Sequence, residues 1–104
     1  MNLLQANALI REANRLFNRA ANSWVRGNNS GNSATNRKCV SQCERFRNRA
    51  EALLIPLGVA VDYPGLYPSF TVRGFSYHST ESAVAAALET PARGPLGPAN
   101  AKRL

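Results

Sequence analysis

Acidic residues are scarce in this chain: six Asp and Glu stand against thirteen Lys and Arg, a formal net charge of +7 over 104 residues. Histidine occurs once, as His78, and cysteine twice, as Cys39 and Cys43. These three do not make up a four-ligand zinc set. Cys39 and Cys43 stand four apart in a helical pattern, where Cβ vectors run side by side and a disulfide fits poorly. They read as buried free thiols acting as small apolar residues, with no metal. Long apolar runs are missing too: no window approaches the roughly 18–20 residues of a membrane span. Met1 leads at once into an amphipathic, Asn- and Arg-bearing segment rather than an apolar signal core. The sequence therefore points to a cytoplasmic protein that does not engage a membrane.

Catalytic groups are equally sparse. The one Asp, Asp62, lies beside a Tyr-Pro-Gly turn, away in sequence from His78. Ser76, Ser79 and Ser82 flank His78 without a nucleophile-elbow pattern, and serines at a helix start ordinarily serve as caps. Glu81 and Glu89 are eight apart, too distant to be taken as an acid/base pair. Gly27 and Gly31 lack the Lys-Ser/Thr that completes a phosphate-cradling loop. No enzymatic activity and no cofactor are expected.

What the sequence does hold is two long amphipathic segments. In Asn2–Val25, Leu3, Ala6, Ile10, Ala13, Phe17, Ala20 and Trp24 recur at steps of three and four, with Leu9 and Leu16 widening the stripe. In Thr35–Ile55, Cys39, Cys43, Phe46, Ala50 and Leu53 recur in the same way. Two such stripes facing each other make an antiparallel helical hairpin. The intervening Arg26–Ser33, rich in Gly, Asn and Ser, reads as an eight-residue linker, with Gly27 stopping the first helix and Ser33 or Thr35 capping the second. Pro56 ends the second helix near Ile55.

Beyond Pro56 the period changes. Residues 58–63 and 69–73 read as two strands joined by the turn Pro64–Pro68, with Gly74 as a bulge before Phe75-Ser76-Tyr77. Ser79-Thr80-Glu81 announces a short third helix reaching about Glu89. The expected fold is α+β, of order α-α-β-β-α. A helical hairpin covers a two-stranded β-hairpin in one domain, 1–89, followed by a basic Pro/Gly-rich tail, 90–104.

Charge follows this division. Residues 1–57 carry nine Arg and Lys against three Glu, whereas 58–89 carry Arg73 against three acids. The tail adds Arg93, Lys102 and Arg103. Arg11, Arg15 and Arg19 form an i, i+4, i+8 ladder, Arg45 and Arg49 a second pair, and Arg37-Lys38 open the second helix against its dipole. Successive cations of this kind can track phosphates or an acidic protein surface, although a solvated face has the same look.

Arg73-Gly74-Phe75-Ser76-Tyr77 resembles the start of the aromatic strand motif of RNA-recognition modules, whose aromatics stack bases. The resemblance spans five residues; His78 then replaces the usual valine and Thr80 the usual aromatic, and two long helices come first. Packing is the favoured reading of Phe75 and Tyr77.

The residues therefore point to a small basic non-catalytic module. It is expected to engage nucleic acid or a nucleoprotein complex through Arg11, Arg15, Arg19, Arg37, Lys38, Arg45, Arg49, Arg73 and Tyr77. The alternative is a phage- or plasmid-type inhibitor or adaptor that uses the same basic faces on an acidic protein surface of a host defence complex.

Overall fold

A computed structural model describes residues 1–89. Two helices, α1 (Leu3–Asn29) and α2 (Ser33–Leu54), are followed by a single 3-10 turn at Ile55–Leu57. Three strands, β1 (Val59–Asp62), β2 (Ser69–Val72) and β3 (Phe75–Tyr77), precede a last helix, α3 (Thr80–Ala87). The strands form an antiparallel sheet in the order β1-β2-β3. The arrangement is α+β as expected, with three strands rather than two. The proposed tail, 90–104, lies outside the described residues.

Local chemistry sets the helix ends. Asn2 caps α1 in a reciprocal capping box: its side chain accepts from the Gln5 amide at 2.8 Å, and Gln5 accepts from the Asn2 amide at 3.0 Å. Asn32, not Ser33 or Thr35, caps α2 by accepting from the Thr35 amide at 2.9 Å. Ser79 caps α3, accepting from the Ser82 amide at 3.1 Å. Among the described residues, no helix is long and apolar enough to cross a membrane.

The hairpin departs from expectation at its tip. Gly27 does not stop α1; it is buried two residues before the helix ends, and only Ser30–Asn32 connect the helices. A Cβ at Gly27 would stand 2.8 Å from the Cβ of Cys39, so glycine here serves close approach of the helices rather than a turn. The seam also differs in detail. Leu3 and Trp24 are exposed, Phe46 is half-buried, and Leu16 and Leu54 are fully enclosed.

From Ala6 to Phe17, α1 joins Ala50 and Leu54 of α2, Val59, Phe70 and Val72 of the sheet and Ala83, Val84 and Ala86 of α3 in one core. Toward the tip of the hairpin the buried residues are Ala20, Ala21, Ser23, Gly27, Cys39 and Cys43, all small. There the hairpin closes on itself as a thin arm.

The third strand exists because Arg73-Gly74 is not a bulge. Val72 pairs with Phe75, leaving two central residues, and Arg73 (φ 48°) and Gly74 (φ 85°) are both left-handed. That is the geometry of a type I′ hairpin turn. The left-handed state disfavours an L-residue such as Arg73. Its guanidinium donates to the Ala86 carbonyl, tying the turn to the end of α3.

Register fixes the sheet faces. Val59, Val72 and Phe75 lie in one row and Val61, Phe70 and Tyr77 in another. All of these but Phe75 pack on the core; Phe75, on the edge strand, is 68% exposed, so the packing expected of it is not formed. Ala60, Thr71 and Ser76 point the other way, with Asp62 and Ser69 beyond them.

Candidate functional site

The hairpin separates its charges onto two flanks. On α1, Arg15, Arg19 and Arg26 follow spacings of four and seven, which aligns them on one side. On α2, Lys38, Arg45 and Arg49 follow seven and four. Contacts across the seam put both stripes on the same flank. The Arg19 guanidinium lies 5.8 Å over the Phe46 ring, and the Ser23 hydroxyl donates to Gln42 Oε1 at 3.3 Å. Glu12 bridges to both helices electrostatically. The hydrogen bond from Arg15 holds its carboxyl below the usual range against a smaller effect of desolvation, and Arg49 and Arg19 add to the pull. Arg15 itself donates at 2.9 Å and 2.7 Å from two nitrogens to the two carboxylate oxygens. Six exposed cations thus share a flank with a single acid.

The other acids of the hairpin are elsewhere. Arg37, Glu44 and Glu51 repeat at intervals of seven along the opposite side of α2. There Tyr63 donates its hydroxyl to Glu51 at 2.6 Å. The Arg47 guanidinium stacks 4.1 Å over the Tyr63 ring and donates to the Leu66 carbonyl at 3.4 Å. This cluster anchors the β1–β2 loop to α2, with Arg47 and Glu51 both engaged by groups of that loop.

A pH effect follows from that cluster. Burial first, and then the hydrogen bond to Glu51, push the Tyr63 phenol far above its ordinary 10.0; burial likewise raises the Cys43 thiol above 9.0. Each group holds its proton to higher pH in the folded chain than in the unfolded one. Their contribution is complete below the unfolded values and is lost as pH rises through and beyond them. Stability should fall above about pH 9–10, by at most about 1.4 kcal/mol per pH unit for each group. Tyr63→Phe should flatten this decline and lower stability at pH 7 by about 1 kcal/mol through the missing hydrogen bond. Urea midpoints at pH 7 and 10.5 check it; an unchanged alkaline slope in the variant would contradict the assignment.

The sequence-derived residues do not converge on one surface. Arg15, Arg19, Lys38, Arg45 and Arg49 share the basic flank. Arg11 stands on the outward face of α1, and Arg37 is on the Glu44 side of α2. Arg73 is engaged with Ala86, and Tyr77 is half-buried against the core face of the sheet. The open sheet face carries Ala60, Thr71 and Ser76, so the register gives no aromatic platform there.

Sequence reasoning omitted Arg26, which sits in the span read as linker. It also omitted the residues around Arg11. Asn7, Arg11, Asn18, Asn22 and Asn29 follow spacings of four, seven, four and seven and are all exposed. Asn is a poor helix former, roughly 0.6 kcal/mol below Ala per residue, so Asn7, Asn18 and Asn22 together cost α1 about 2 kcal/mol. A solvent face selected for helix stability would carry Ala, Glu or Lys instead. The regular spacing was the signal available in the sequence.

One open groove of about 350 Å³ lies between α1 and the start of α3, lined by Asn14, Asn18, Tyr67, His78, Ser79 and Glu81 among others. Among the described residues, no three of His, Cys, Asp and Glu gather in a way that could hold a metal ion. Compared with known proteins, the chain matches no protein-family model, no curated protein and no solved structure.

Proposed function

We propose that this protein is a non-catalytic nucleic-acid-binding module that lays the basic flank of its helical hairpin along a phosphate backbone. The observation that carries the reading is the shared flank of Arg15, Arg19, Arg26, Lys38, Arg45 and Arg49, with Glu12 as its one acid. Exposed like charges on one flank do little for stability and repel one another. A polyanion relieves that repulsion and releases its own condensed counterions when it binds. Arg47 shows the contrast, since its guanidinium is already engaged by Tyr63 and Leu66.

Binding to random single- and double-stranded nucleic acid across salt tests the reading. The parent should bind at low salt and weaken steeply as salt rises. Arg45→Gln combined with Arg49→Gln should weaken binding to every duplex sequence alike. It should also flatten the slope of log affinity against log salt by roughly 0.9 for each phosphate no longer neutralised. The melting curve should hardly move. No binding by the parent at low salt would end the reading. Losses confined to one or two arginines would point instead to buried ion pairs on a protein surface.

A further inference from the structure

We infer that the outward stripe of α1 (Asn7, Arg11, Asn18, Asn22 and Asn29) reads base edges in the major groove of double-stranded DNA. This rests on the nucleic-acid reading of the basic flank and names its substrate class and reading element.

All five side chains are exposed, on the face of α1 turned away from its buried residues, and Asn18 alone borders the groove toward α3 that Tyr67, His78 and Glu81 also line. Its polar chemistry is confined to amides and one guanidinium. Those are the groups that pair with purine edges in the major groove, Asn with N6 and N7 of adenine and Arg with O6 and N7 of guanine. Leu4 and Val25 complete the face, 75% and 40% exposed, and are of the kind that meets a thymine methyl. No acid stands on the stripe to repel phosphate.

Geometry favours the duplex over other nucleic acids. An α-helix about 10–12 Å across fits the roughly 12 Å major groove of B-form DNA. The deep, narrow major groove of A-form RNA excludes it. Single strands are held largely by stacking on aromatic side chains, and the stripe has none. The adjoining cations fit the same pose. With the stripe in the groove, Arg15, Arg19 and Arg26 stand on the flank toward α2, beside one groove wall. Lys38, Arg45 and Arg49 extend that flank outward over the same strand. Cations thus meet phosphates and set position, while amides meet bases and set sequence.

The test uses the full chain and a duplex library with a randomised core of about 20 base pairs, roughly two turns of the duplex. Selection should enrich a purine-containing motif. Replacing its purines with 7-deaza analogues removes the major-groove N7 acceptors and keeps base pairing. Affinity should then fall roughly tenfold for each bidentate pair broken. Asn18→Ala combined with Asn22→Ala should relax the selected motif and leave the salt slope unchanged, opposite to the effect of the Arg45 and Arg49 substitutions. Duplex binding indifferent to 7-deaza substitution overturns the inference and leaves the basic-flank reading standing. Tighter binding to single-stranded nucleic acid or duplex RNA does the same. No binding to any nucleic acid at low salt overturns both.

Discussion

Phe17→Ala should lower stability by about 3–5 kcal/mol, close to the whole margin of a domain this size. Phe17 is 5% exposed and is the point where hairpin and sheet meet. Its ring stands edge-on to Phe70 of β2, with centroids 5.8 Å apart, and tilted against Tyr63 at 6.4 Å. Truncation strips the packing from both of those rings at once. Phe70, fixed by strand pairing, and Tyr63, held by its hydrogen bond to Glu51, cannot collapse into the gap, so most of the cavity persists. Trp24→Ala supplies the comparison: the larger side chain is 42% exposed on the arm and should cost less than about 1 kcal/mol. Denaturant melts of the two variants decide between the core as described and a seam running the full length of the hairpin. A Phe17→Ala melt within a few degrees of the parent, or a greater loss from Trp24→Ala, would show the core to be misplaced.

The Trp24 comparison also shows where periodicity stops informing. Steps of three and four place Trp24 on the stripe of Phe17 and Ala20, and the helix does carry it there. Whether a stripe is buried depends on what stands opposite, and beyond Phe17 the sheet no longer does. The same limit applies to the cations. Spacing aligned Arg15 with Arg19 and Arg45 with Arg49, but their shared flank depends on how the helices face each other, a tertiary fact. Arg37 and Lys38 are neighbours in sequence and part to opposite sides of α2. Where one residue type has a single common use, local reading succeeded: Pro56 closed the second helix and Ser79 capped the third. It failed at Arg73-Gly74, because left-handed turns are usually announced by Asn or Asp before Gly, and arginine hid the third strand. It failed also at Gly27, since glycine serves equally to end a helix and to let two helices touch.

Gly27→Ala separates those two uses by the sign of its effect. In an exposed helix interior the change gains up to about 1 kcal/mol, because alanine gives up less backbone freedom and favours the helix. At Gly27 the added Cβ would stand 2.8 Å from the Cys39 Cβ, 3.0 Å from Asn36 Oδ1 and 3.4 Å from the Asn36 carbonyl. The nearest of these is fixed to the α2 backbone and cannot swing aside. The helices must part at the arm's tip, where only small residues hold them and Ser30–Asn32 leave little slack. Overpacking of this kind costs about 1–3 kcal/mol, which outweighs the gain in propensity. Net destabilisation is therefore expected, greater for Gly27→Val, with faster amide exchange confined to the arm. Cys39→Ala should not relieve it, because the clashing atom is retained. Cys39→Gly should, and the double-mutant cycle of Gly27→Ala with Cys39→Gly should show favourable coupling of about 1 kcal/mol. Stabilisation of the otherwise unaltered chain by Gly27→Ala would mean that the helices do not meet at this point and that residue 27 lies in open turn.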